Sequence, residues 1–308
     1  MNIAGGRNGN PQSYYPPYGN IKIDGSGDGY LTDLIMEKTL MCLDTVGMPF
    51  FLYYAPYAVH VPIQAAPDLK SKYLDKPPWN DQHNTDYATM IENLDRNIGL
   101  LVTRLEEKGI FEQTFLVFTS DNGGVFGITC QHPLRAGKGS YYEGGIREPF
   151  FFVWNDKIGA GSKSEVPVTQ LDIFPTVLEI TGQDLSRYSY DGASILSLLK
   201  GEIKELDRPL FWHFPIYLEA YDVHHKENRD SLFRTRPGSV VRSGDWKLHH
   251  YFEDDGYELY NLKSDVGEKN NVAGEFPGKL KELQDLLNAW REETQAPVPT
   301  ELNPEYEF

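Results

Sequence analysis

The run Phe115-Leu116-Val117-Phe118-Thr119-Ser120-Asp121-Asn122-Gly123-Gly124 reads as a strand that stops at a ligand-bearing turn. Apolar, β-branched and aromatic residues give way at once to a carboxylate, an amide and two glycines, the pattern of a buried strand delivering oxygen donors at its C-terminal end. In open α/β sheets ligands bind at that end. Asp121 and Asn122 are hard donors suited to Ca²⁺ or Mg²⁺, and Gly123 and Gly124 let the backbone turn sharply beside them. On these four residues alone, ordinary turn chemistry is the commoner reading of the pattern.

The downstream segment adds a second element. In Pro133-Leu134-Arg135-Ala136-Gly137-Lys138-Gly139-Ser140 a lysine lies between glycines, and Tyr142-Glu143-Gly144-Gly145-Ile146-Arg147-Glu148-Pro149 leads into the next apolar run. A lysine flanked by glycines can approach an anion closely and act as a point charge or a proton donor.

Together these segments resemble, in the same order, the motifs of the formylglycine-dependent sulfatases of the alkaline-phosphatase-like superfamily, and the similarity extends over nearly the whole chain. The resemblance implies an α/β fold: residues 1–205 as part of a catalytic α/β domain, and 206–308 as a smaller C-terminal α+β subdomain with an antiparallel sheet. It implies hydrolysis of sulfate esters of carbohydrates or aryl sulfates, Asp121 and Asn122 as ligands of Ca²⁺ (or Mg²⁺), and Lys138 as a catalytic residue. His60 follows a strand-like run in His60-Val61-Pro62. Position alone leaves it structural or catalytic, and the resemblance makes it a candidate general acid or ligand of the substrate oxygens. His132, Arg135 and His213 are the candidate substrate contacts, a packed histidine in an aromatic strand being the other reading of His213. A phosphodiester or phosphonate ester is the alternative substrate within the superfamily, and a catalytically empty chain that binds sulfated glycans is the alternative outside enzymology.

The family nucleophile is the hydrate of a formylglycine made from Cys or Ser in a Cys/Ser-Xaa-Pro/Ala-Xaa-Arg motif. No such motif occurs here: in Cys130-Gln131-His132-Pro133-Leu134-Arg135 the proline and the arginine each come one position too late. Nor is there a strand ending in paired aspartates, the other metal ligands of the family. Both belong upstream of residue 1 in the family order, so the expectation is a sulfatase lacking its N-terminal part, inactive and weak in Ca²⁺ binding by itself.

The formal net charge of −16 argues against a nucleic-acid partner, since no concentrated basic face is visible to offset repulsion by phosphates. Attraction of a sulfate ester would then fall to local charge from a metal, Lys138, Arg135 and Arg147. Cys42 and Cys130 form neither a disulfide framework nor a zinc cluster. No run has the length of a membrane span, and Met1–Arg7 lacks the apolar core of a secretory signal, so a periplasmic or extracellular location is expected from the family alone.

Periodicity places helices from Tyr30 to Val46, over Tyr87–Leu105 before Lys108-Gly109, over Val168–Thr181 and over Leu280–Trp290. Strands buried on both sides are expected at Pro49–Tyr54 and Pro149–Trp154, with further strands at Pro209–Phe214, Gly238–Arg242, Trp246–Phe252 and Tyr257–Leu262. Glu253-Asp254-Asp255-Gly256 is a hairpin turn, residues 1–28 are irregular, and Ala296–Phe308 is extended or disordered. Adjacent His249 and His250 in a strand point to opposite faces and cannot share a ligand, and His224-His225 with Asp222 is a poor metal pair.

Overall fold

The computed structural model describes residues 12–18, 29–221 and 227–301, so His224, His225, Asp222 and most of the segment before Gly29 lie outside the described residues. The chain divides into two compact units, Met1–Thr114 and Phe115–Phe308.

The first unit is built on α1 (Leu31–Thr45), the short α2 (Lys70–Tyr73) and the long α3 (Thr85–Glu107). Asn84 starts α3 by accepting the Tyr87 amide at 3.0 Å, and Gly109, with φ +66, follows its end. The apolar stripes of α1 and α3 meet at Met36, Leu43, Leu101 and Leu105. Within this contact the Asp33 carboxylate accepts from the Asn93 and Asn97 amides at 2.8 and 2.7 Å, so these three polar side chains between the helices are paired.

Residues 49–54 correct one expectation. They run without strand pairing among the described residues, and their burial alternates. Phe50, Leu52 and Tyr54 pack on the α1–α3 cluster, whereas Phe51 and Tyr53 are 83% and 81% exposed. Hydrophobicity on both faces announced two-sided burial, and within this unit only one face is covered.

The second unit opens with β1 (Leu116–Thr119), followed by α4 (Glu143–Ile146) and β2 (Phe150–Val153), which pairs antiparallel with β1. These two strands are also less buried than their composition suggests: β1 is half-buried throughout, Phe151 and Val153 on β2 are exposed, and neither strand pairs with any other described strand. Helix α5 (Ile173–Ile180) has Pro175 in its first turn, where a missing amide costs nothing, and Gly182 beyond its end. A short α6 (Leu196–Leu199) follows.

The remaining strands are β3 (Leu210–Phe214), β4 (Leu218–Glu219), β5 (Phe233–Thr235), β6 (Gly238–Ser243), β7 (Trp246–Tyr251) and β8 (Gly256–Asn261), with α7 (Pro277–Thr294) closing the chain. β3, β6, β7 and β8 form an antiparallel sheet in that order, and β4 and β5 a separate ribbon. Strand alternation sorts the four-stranded sheet into two faces. Val241, Leu248 and Leu259 pack with Leu283 and Leu287 of α7, and Phe211 stacks on Trp290 at 4.8 Å. The opposite face carries Val240, Lys247, His249, Tyr251 and Tyr260, and receives Tyr141, Tyr142 and Glu143. Thus the sheet seats the glycine-rich segment found in the sequence.

Candidate active site

Two loops of the second unit are joined backbone to backbone. The Gly123 amide donates to the Gly145 carbonyl at 3.0 Å, the Lys138 amide to the Gly124 carbonyl at 2.9 Å, and the Gly144 amide to the Arg135 carbonyl at 2.9 Å. A Cβ at Gly123 would lie 2.0 Å from the Gly144 oxygen, one at Gly137 2.5 Å from the Gly124 oxygen, and one at Gly145 2.3 Å from the Ser140 oxygen. Gly123 and Gly124 do not take positive φ. Close approach of two chains, rather than a sharp turn, is what requires glycine there.

This junction holds the Asp121-Asn122 turn at the end of β1. Asp121 is exposed; the Asn122 side-chain amide donates to the Gly123 carbonyl at 3.0 Å, leaving its Oδ1 without a donor among the described residues. Burial, and then the Asp121 charge, pushes the half-buried Glu148 carboxyl up to about 7. Sequence reasoning missed Glu148, which lay unweighed in the Arg-Glu-Pro run. The donors are of the right kind for a hard cation but too few for the six to eight oxygens Ca²⁺ takes, and no group of three acidic, His or Cys side chains suited to a metal occurs among the described residues. Asp121 and Asn122 therefore fit the edge of such a site, not a whole one.

Lys138 is half-buried and makes no ion pair among the described residues. It lines a shallow cleft with Phe126, Gly137, Ala220, Tyr221, Asn228 and Arg234. Among the described residues that lining carries no carboxylate, which suits an oxyanion.

His132 and Arg135 line a different cleft, with Glu227 and Lys269. Arg135 is largely engaged by protein: Nε donates to the Glu227 carbonyl at 2.6 Å, Nη1 to the Glu268 carbonyl at 2.8 Å, and the guanidinium lies 3.8 Å from the centre of the Tyr142 ring. His213 is in the sheet, its Nδ1 on Ser239 Oγ at 2.8 Å and its Nε2 on the Pro297 carbonyl at 3.0 Å, beside Trp290 and Phe252. With both nitrogens taken by protein, its place is in the packing under α7. Arg147 turns to Glu143 at 3.7 Å. His60 belongs to the first unit, with Nδ1 on the Val61 carbonyl at 3.0 Å and Nε2 without a partner among the described residues. Asp121, Asn122 and Lys138 belong to the second.

Beneath the Lys138 segment is a buried ionic cluster that the sequence reading did not isolate. The Lys247 ammonium lies 3.0 Å from both the Glu143 and the Glu268 carboxylates, and all three side chains are essentially inaccessible. Glu268 also accepts from the Glu143 amide and from His249 Nε2. Burial alone would raise the Glu268 carboxyl, but Lys247 and His249 hold it down to about 2. His249 is itself lowered by burial and stays neutral. The signal available in the sequence was the alternation Lys247-Leu248-His249, a lysine and a histidine on the same strand face.

Residues 3–183 match the family model described as Sulfatase, and 137–295 the model described as N-sulphoglucosamine sulphohydrolase, C-terminal. The chain belongs to the sulfatase family. A sulfatase of Formosa agariphila is 36% identical over 275 residues, covering 81% of this chain and 47% of that protein. N-acetylglucosamine-6-O-sulfatase of Bacteroides thetaiotaomicron is 33% identical over 245 residues, 78% of this chain and 40% of its own length. The chain thus spans about half the length of curated relatives it matches. The solved structure of Ps i-CgsB in complex with k-i-k-neocarrahexaose superposes with a TM-score of 0.75 at 26% identity, over 98% of this chain and 67% of that one. The fold is the alkaline-phosphatase-like fold of the sulfatases, and the family's chemistry is sulfuric ester hydrolysis.

Proposed function

We propose that this chain carries the anion-receiving and metal-edge portion of a sulfatase active site, acting on sulfate esters of carbohydrates or aryl sulfates. The observation that carries the reading is the junction that fixes Lys138 to the Asp121-Asn122 turn through the Lys138 amide and the Gly124 carbonyl, 2.9 Å apart. A sulfuryl group needs its oxygens neutralised and its leaving oxygen protonated. Lys138 supplies a fixed charge for the first task, and His60, through Nε2, a proton for the second. Asp121 and Asn122 would hold Ca²⁺ or Mg²⁺, which when bound adds positive charge at the sulfate. His132 and Arg135 belong to the approach of the leaving sugar. Residues 206–308 are the C-terminal subdomain, and the location is periplasmic or extracellular.

With neither the formylglycine motif nor the paired aspartates in its sequence, the chain by itself binds Ca²⁺ weakly and turns over no sulfate ester. The exposed Phe51 and Tyr53 row supports the complementary idea that a segment equivalent to the family's N-terminal half covers it. Calorimetric titration with Ca²⁺ and assay of nitrocatechol sulfate test this directly. Weak Ca²⁺ binding and no turnover are expected from the chain alone, and activity on coexpression with an N-terminal sulfatase half. Glycan binding without recovered activity would favour a catalytically empty binder; turnover of a phosphonate but not a sulfate ester would move the chemistry elsewhere in the superfamily.

A further inference from the structure

We infer that Arg234 forms a second oxyanion subsite beside Lys138, which receives another anionic group of the same carbohydrate; the inference rests on Lys138 being the sulfate-binding lysine. Arg234 is on β5, in the short ribbon that local pattern does not announce. Its Nε donates to the Glu219 carbonyl at 2.7 Å and its guanidinium lies 3.7 Å from the centre of the Tyr221 ring. Those two contacts fix the plane of the fork. They leave both terminal nitrogens without an acceptor among the described residues. Among the described residues no carboxylate lines this cleft, and Lys138 and Arg234 are its charged residues.

The loop geometry brings the two cations to one place. A Cβ built on Gly139, the neighbour of Lys138, would lie 3.0 Å from Arg234 Nη1, and Gly139 has φ +86. The positive φ calls for glycine there, and the tip of the guanidinium lies against it. Asn228 Oδ1, buried and without a hydrogen-bond partner, adds an unused acceptor to the same cleft, suited to a sugar hydroxyl. The hollow is shallow and open, so it admits the oxygens of an anionic substituent and not a sugar ring. A planar fork stacked on an aromatic ring matches a sulfate or carboxylate in bidentate fashion, which a mobile lysine would not.

The test is calorimetric binding at low ionic strength of three heparin-derived disaccharides: a carboxyl-reduced 6-O-monosulfate as reference, the same monosulfate with its carboxylate, and the carboxyl-reduced trisulfate. One of the latter two is expected to bind about tenfold tighter than the reference, identifying carboxylate or sulfate as the second group. Arg234→Gln is expected to remove that gain while leaving the reference unchanged, and Arg234→Lys to restore only part of it. Equal affinities for all three probes, or a gain that survives in Arg234→Gln with its thermal unfolding unchanged, would overturn the inference. Lys138→Met separates the two ideas, since it should weaken the reference itself. If it does not, the sulfate-binding reading fails while the Arg234 result stands as measured.

Discussion

Glu268 accepts the amide of Glu143 through one carboxylate oxygen and, through the other, faces Lys247 and His249 at 3.0 Å. A residue of the C-terminal region thereby fixes the backbone that follows Lys138 in the sequence. The cluster is fully buried, so removing one member leaves the others charged without compensation. Lys247→Met is expected to destabilise the protein by about 3–5 kcal/mol in urea unfolding, whereas the triple replacement of Lys247, Glu143 and Glu268 by apolar residues of matched volume should cost much less than the sum of the single changes.

The same carboxylate sets an acid dependence. The folded-state value of Glu268, about 2, lies below its ordinary 4.5. Its contribution is therefore complete above the unfolded-state value and disappears as pH falls through 4.5 toward 2. A shift of this size corresponds to roughly 3 kcal/mol. His249, also lowered, acts in the same sense, because protonation in the unfolded state begins below about 6.5. Unfolding free energy measured against pH should fall in two stages on acidification. In Glu268→Gln the lower stage should vanish; an unchanged acid limb would show that the stabilisation comes from elsewhere.

The glycine junction gives a contrast between positions. Gly123→Ala drives a methyl group to 2.0 Å from the Gly144 oxygen, a backbone atom that cannot swing aside. A loss of at least about 3 kcal/mol is expected, with weaker sulfate binding in any folded fraction. Gly99 lies exposed in α3 with open space around it. Gly99→Ala should stabilise by about 1 kcal/mol through helix propensity alone, as read from the urea midpoint.

Much of this was legible from periodicity and motif. The long helix before Gly109, the strand ending at Asp121, the four strands of the C-terminal sheet and the opposite facing of His249 and His250 all follow from local pattern, because each element's buried face is set by its own spacing. Burial was not legible at Phe51, Tyr53 and Phe151, where hydrophobicity reports the demand for a covering surface and not its presence. The β4–β5 ribbon escaped notice because two- and three-residue strands carry no alternation to count. Site residues were partly legible for a related reason. Lys138 and Asp121 stand in motifs, whereas Arg234, Glu148 and Glu268 acquire their roles from neighbours distant in sequence.

His213 offers the clearest separation of packing from ligand contact. Its ring is held between Ser239 Oγ and the Pro297 carbonyl, and burial keeps it below its ordinary value. Replacing it by Ala removes both hydrogen bonds and the contact with Trp290. The expected result is a loss of about 1–3 kcal/mol in stability, with binding of inorganic sulfate unchanged within error. Lys138→Met should do the reverse, leaving the unfolding midpoint nearly in place because the ammonium has no ion pair among the described residues to lose, while weakening sulfate binding about tenfold. If His213→Ala instead lowered sulfate affinity at unchanged stability, the histidine would have to reach the anion, and the assignment of this ring to the packing beneath α7 would fail.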